Sequence, residues 1–439
     1  MKDPSDVRAH HGWRTLRRAL REFAMVPILV VAAFLALAVV AILADQTQVP
    51  GLDVLQRTAS RVIGKNTSSA ALSAIATGLL TVTSITFSVL LLAVQQTASN
   101  LSPVVFDQFV RRRMNQVLLG FFVGLSLFAY LVMAAQTSSP PVVGAALATV
   151  LTVVAMLLLL LLVYTTIDQM RPANVLRQIH RRTLLARTRQ ARLRERTIRE
   201  PRSRAGVTGS YHADVTGYVS DVGLAHLAAA LQGAGAGTEI RLHATLGASV
   251  AYGDLVATVH DDDPDVVDSV LAQVRRAVVI ERRRDIDRDA STGVAEICNI
   301  AWTSGSTSKQ SPQVAREALD SLRDLAARWI DEQNRSGGPT EPPLAIVYPD
   351  NDLDVVLDGI YSLVVVAHES HQHQTARRVL DAYRILLRRA RGGVRERLLR
   401  DVTLMPALLD QMPPSGPLGA SRRRLDESIS TPVDAHHER

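Results

Sequence analysis

The chain has 439 residues, 47% hydrophobic and 21% charged, with mean hydropathy +0.11 and formal net charge +7. That length suffices for two domains of ordinary size. A single cysteine, Cys298, excludes an internal disulfide framework and any multi-cysteine metal site, and arginine supplies the positive charge because the only lysines are Lys2, Lys65 and Lys309.

Residues 1–23 form an arginine-rich tail (Arg14, Arg17, Arg18, Arg21) before the charge-free run AMVPILVVAAFLALAVVAILA at 24–44. A helix rises 1.5 Å per residue, so about 20 such residues cross a ~30 Å hydrocarbon core. The run exceeds a signal-peptide core, and Ile42 spoils a small-residue cleavage pattern, so it predicts an uncleaved first span. A second span is predicted at 71–94, inside the uncharged stretch from Lys65 to Asp107. The uncharged block from Met114 to Ile167 is too long for one span. Ser138-Ser139-Pro140-Pro141 divides it into spans at 116–136 and 142–166.

The predicted fold is therefore an α-helical membrane bundle of four spans, residues 24–167, followed by a cytoplasmic α+β domain. Orientation follows the arginines. Arg111, Arg112 and Arg113 lie between spans two and three, and Arg171, Arg177, Arg181, Arg182, Arg187, Arg189, Arg192, Arg194 and Arg196 follow span four. The 45–70 loop holds Arg57, Arg61 and Lys65 among charges of both signs, and the 137–141 loop has no charge. Both termini are expected in the cytoplasm of a cell with the chain in its inner (plasma) membrane.

Span two carries a polar stripe. Ser73, Thr77, Thr81, Ser84 and Ser88 fall within an arc of roughly 80°, with Gln95 at its end, while Thr83 and Thr86 lie off it. Two readings stand: a helix-packing face, or a hydrophilic path. In span three, Gly120 and Gly124 form a small-residue groove for close helix packing. No predicted span contains an Asp, Glu, Lys, Arg or His, which argues against proton coupling but not against an uncoupled channel. Leu52, Leu55, Ala59, Val62 and Ile63 outside, and Val105, Phe106, Phe109 and Val110 inside, recur at helical spacing and suit short interfacial or connecting helices.

Residues 168–204 read as a basic connector with interleaved Leu184, Leu185, Leu193 and Ile198. Arg111–Arg113, Arg177, Arg181 and Arg182 are expected to meet anionic lipid headgroups. Nucleic acid is not an expected partner, because no aromatic platform accompanies the arginines.

Residues 205–411 are expected to form the cytoplasmic domain. Strands are predicted at Thr238–Thr245 and Leu255–Val259, with a helix at Leu224–Gln232 between the first strand pieces. Gly247 to Leu255 resembles the turn of barrel-sandwich hybrid domains. The carrier lysine of that fold is missing, since none lies between Lys65 and Lys309. Gly233–Gly237 follows a helix and precedes a strand, the reverse of a dinucleotide fingerprint. Asp261–Asp265 reads as a helix start, with Asp263 capping and Pro264 at N1. Helices are predicted at 264–281, 289–303, 312–335, 351–369, 373–391 and 394–411, with a short strand at Leu344–Tyr348 and a disordered tail at 412–439. His368, Glu369, His371 and His373 are the one metal candidate. Their spacing places them at a turn between helices rather than on one face, so no metal site is expected. No cofactor motif occurs, and no catalytic motif supports an enzyme.

The stretch LSAIATGLLTVTSITFSVLLLAVQQTASNLSPVVFDQFVRRRMNQVLLGFFVG resembles the bacterial predicted-membrane-protein family called domain of unknown function 2254. Phe87, Ser88, Ser99, Ser102, Pro103, Phe109 and Asn115 match its pattern, as do Gly217-Tyr218-Val219 and the later helices. The resemblance implies a hydroxyl-rich span, a Ser-Pro break and a basic segment, with no assigned activity. Members carry an S-P-G-I-N-D-P-like loop where this chain has Thr303–Pro312, which lacks the Asn-Asp pair. The expectation is an oligomeric channel-like protein with an assembly or gating domain; the alternative is a membrane-anchored binding, scaffold or sensor module.

Overall fold

The computed structural model describes residues 24–46, 67–100, 112–135, 141–169, 171–202, 207–235, 237–306, 312–335 and 342–430. The chain divides into two compact units, Met1–Arg171 and Pro172–Arg439. The two expected interfacial segments and Arg111 lie outside the described residues.

The first unit holds four helices long and apolar enough to cross a membrane: α1 (Met25–Gln46), α2 (Ser68–Asn100), α3 (Arg113–Ala134) and α4 (Val142–Gln169). Each contains the span expected there, apart from one or two residues at an end. Helix α2 continues past residue 94 because Gln95–Asn100 carries no residue that breaks a helix; the next proline is Pro103. Helix α3 is the hub, packed on the other three. Its Leu118, Phe122, Leu125 and Phe128 meet Phe34 and Ala38 of α1, Leu72, Ala76 and Leu79 of α2, and Ala145 and Ala148 of α4 in one core. Ile28 and Leu29 on α1 and Leu157 and Leu160 on α4 stay exposed, as lipid-facing residues require.

Asp45 closes the start of α4. Its carboxylate accepts the backbone N–H groups of Val143 (2.8 Å) and Gly144 (3.0 Å). Four such donors are orphaned at any helix N-terminus, where a negative charge also meets the positive end of the helix dipole.

The second unit begins with α5 (Pro172–Arg196). Here the structure corrects the expected connector. Val175, Leu176, Ile179, Ala186 and Leu193 are buried, and α5 packs against α8 (Ala290–Ser306) and α9 (Pro312–Asn334). Arginines hide this stripe by composition, but its helical period is intact. Leu185 is exposed, whereas Ile198 bridges in parallel to Val347.

Two sheets follow. Strands β1 (Val207–His212), β2 (Gly217–Val222), β3 (Glu239–Leu242), β4 (Ser249–Val250), β5 (Leu255–Asp261), β6 (Val278–Glu281) and β7 (Ile346–Val347) order as β1-β5-β3-β7 and β4-β2-β6. All pairs are antiparallel except β3–β7. Helix α6 (Leu224–Gln232) joins β2 to β3, and α7 (Pro264–Ala277) packs on β1 and β5. Asp263 caps α7 by accepting the Asp265 N–H at 2.9 Å. The helix expected to reach residue 281 stops at Ala277. Val278-Val279-Ile280 is β-branched and pairs with β2 instead.

The remaining helices are α10 (Asp352–Glu369), α11 (His373–Leu387), α12 (Gly392–Leu404), α13 (Pro406–Leu409) and α14 (Gly416–Ser430). Pro406 splits the helix expected over 394–411. Of the tail expected to be disordered, 412–439, residues Gly416–Ser430 form α14 instead. Leu418 and Leu425, seven residues apart, give it a buried face against α11.

Candidate functional site

The packed face of α2 is the stripe Leu72, Ala76, Leu79, Thr83, Leu90 and Val94, all buried. The hydroxyl stripe lies roughly a third of a turn away from it. Ser73, Thr77, Thr81, Ser84, Ser88 and Gln95 are all exposed. Thr81 donates its hydroxyl proton to the Thr77 carbonyl, and Ser88 donates to the Ser84 carbonyl, each at 2.8 Å. A hydroxyl has one proton and two lone pairs, so these two turn acceptor oxygen outward. The stripe therefore does not hold the four helices of one chain together. Thr83 lies on the packed face instead, 7% exposed and without a hydrogen-bond partner among the described residues.

Gly120 and Gly124 face α1. A Cβ on Gly120 would sit 2.9 Å from the Pro27 backbone, and one on Gly124 would sit 2.6 Å from the Phe34 ring. Phe34 stacks edge-on against Phe121, centroids 5.2 Å apart. These glycines let the two helices touch backbone to side chain.

The arginines expected to meet lipid headgroups separate into groups. Arg112 and Arg113 are exposed at the start of α3. Arg177 and Arg181 are exposed on α5, with Arg177 donating to Asn174 (2.7 Å). Arg182 is half-buried, 3.8 Å from Asp287.

Among the described residues no group of three or more histidine, cysteine or acidic side chains is placed to hold a metal. His371 occupies the turn between α10 and α11 with φ 51°.

No local pattern of residues foretells the buried ion cluster around Arg187. That side chain, 5% exposed, donates to both Asp350 oxygens (2.6 and 2.8 Å), to Asp352 (2.9 Å) and to Glu332 (3.3 Å). Its guanidinium lies 4.9 Å from the centroid of the Trp329 ring. Arg194, seven residues on, bonds Glu332 at 2.5 Å. Burial pushes the Asp352 carboxyl up to about 6 against the pull of Arg187. Asp350 is held below the ordinary carboxylate range by its bidentate pairing with Arg187, which outweighs its burial. The cluster ties α5 to α9 and to the start of α10.

A second junction joins the small sheets to the helices. Asp289 caps α8, accepting the Ser291 N–H (2.9 Å) and the hydroxyls of Ser291 and Thr292, and it pairs with Arg284 at 3.1 Å. Gly247, at φ 79°, lies directly over that carboxylate, where any Cβ would collide with it.

Four apolar helices followed by this helix-and-sheet unit agree with the family model described as a predicted membrane protein, DUF2254, which matches residues 21–384. The chain belongs to that family. No curated protein and no solved structure matches it. The DUF2254 match takes in all four membrane helices, α5 and every member of the Arg187 cluster, and it ends within α11. Of the departing loop, residues 307–311 lie outside the described residues.

Proposed function

We propose that this DUF2254 protein is a channel-like homo-oligomer in which the hydroxyl face of α2 meets, and borders a path between, copies of the chain. One observation carries the reading: the polar face of α2 points away from its own bundle. Lipid gives hydroxyls and Gln95 no partner, whereas a second copy or a water-filled path does. The outward oxygens of Thr81 and Ser88 suit a hydrated cation better than an anion. Among the described residues, α2 carries no ionisable group to couple transport to protons. In this reading the termini and the second unit are cytoplasmic, following the arginine bias of the loops, and the membrane is the plasma membrane.

Two measurements test it. With Thr81→Cys, oxidation in the membrane should cross-link copies of the chain. Native Cys298 packs against Gly359 with its thiol pushed up to about 12 by burial, so it stays silent. In liposomes the full chain should pass monovalent cations, and Thr77→Phe or Thr81→Phe should cut the flux at least about tenfold. Both residues lie off the packed face, so loss of flux is not loss of fold. Absence of the cross-link sinks the assembly; flux unchanged by either substitution sinks the path.

A further inference from the structure

Helix α5 has two opposite faces. One is the buried stripe through Ile179 and Ala186. The other presents Arg177, Arg181, Leu185, Thr188 and Arg192, all exposed, within an arc of roughly 80°. None of these three arginines has a carboxylate within ion-pair distance among the described residues, in contrast to Arg182, Arg187 and Arg194 on the same helix. Leu185 stands 48% exposed in the middle of the row. An unneutralised arginine row around an exposed leucine is the surface chemistry of a helix at a lipid headgroup layer. In the chain, only Met170 and Arg171 separate the last residue of α4 from Pro172.

We propose that this face of α5 binds anionic phospholipid headgroups, Arg177, Arg181 and Arg192 meeting phosphates and Leu185 entering the acyl boundary. The inference does not depend on the α2 face conducting anything. A protein anchored by its spans gains no attachment from such contacts. It gains a lipid-dependent position for α5, the helix that carries Arg187 into the core of the second unit.

The test uses the full chain in neutral detergent, titrated with phosphatidylglycerol or phosphatidylcholine and read by native mass spectrometry. The wild type should retain phosphatidylglycerol preferentially. The triple variant Arg177→Gln, Arg181→Gln, Arg192→Gln should lose at least about tenfold of that preference, given roughly fivefold per arginine near an anionic surface. The matching triple lysine variant should keep most of it, because headgroup attraction follows charge. A nitroxide at Thr188→Cys reports independently of these substitutions. It should lose water accessibility in nanodiscs containing phosphatidylglycerol and not in phosphatidylcholine alone. Equal retention of the two lipids, or a glutamine variant that behaves as wild type, overturns the proposal. So does a label indifferent to lipid charge. Displacement of the lipid by free glycerol phosphate would make this a soluble-anion site, and displacement by an oligonucleotide a nucleic-acid site; either result overturns it too.

Discussion

Replacing Arg187 with methionine removes one charge from the buried cluster while preserving much of the side chain's length. Asp350 and Asp352, 7% and 14% exposed, remain without their common partner. Removing one member of a buried ion pair costs about 3–5 kcal/mol, because the charge left behind cannot reach water. Asp352 has an escape, since burial already lifts its carboxyl to about 6 and protonation neutralises it. Asp350 loses the partner that outweighs its burial and keeps only Arg194, 3.9 Å away. The cost therefore falls near the lower figure, about 3 kcal/mol. A unit of this size loses about 2–4 °C per kcal/mol, so Tm should fall by roughly 6–12 °C. Thermal unfolding of the full chain in detergent, followed by circular dichroism, gives the number. Adding Asp350→Asn to the Arg187→Met variant should recover at least half of the loss, because the stranded charge is gone. A drop under about 2 °C, or no recovery in the double variant, would refute the view that Arg187 neutralises a buried carboxylate.

Asp352 binds its proton more tightly folded than unfolded, so its contribution favours the fold at low pH and fades as pH rises through about 6. The Tm of Asp352→Asn relative to wild type should therefore rise between about pH 5 and about pH 7.5, and a flat difference would count against the raised carboxyl. Gly124→Leu drives a Cβ to within 2.6 Å of the Phe34 ring. It should loosen α1 from α3 by about 1–3 kcal/mol, read as an earlier midpoint in detergent-induced unfolding. Gly247→Ala should destabilise more than Gly253→Ala. Both positions have positive φ, at 79° and 87°, but only Gly247 has the Asp289 carboxylate against it, and paired melting curves rank them.

The membrane helices were legible because charge-free length has one physical meaning at that scale. Which side of α2 faces inward was not. Leu72, Ala76 and Leu79 on the packed side and Leu80, Ile85 and Val89 on the exposed side are alike in hydropathy, and only the partner helix distinguishes them. In the second unit Asp263-Pro264 marked the start of α7, a local signal. Composition misled at α5, where the arginines masked the period of Val175, Ile179 and Ala186, and at α14, where proline and charge masked Leu418 and Leu425. Arg187 looked like one more arginine. Its partner Asp350 lies 163 residues away, and no local pattern announces a contact over that distance.

That separation also sets an order of events. A ribosome adds about 5–20 residues per second, so Arg187 waits roughly 8–33 s for Asp350 to be made. Until α8 and α9 are made, α5 is a finished amphipathic helix with an apolar face and no core to receive it, directly behind the last membrane helix in the chain. The second unit therefore cannot close from its N-terminus forward. It closes backward: α8 and α9 cover the apolar face of the first helix made, and the segment leading into α10 then completes the ion cluster on Arg187.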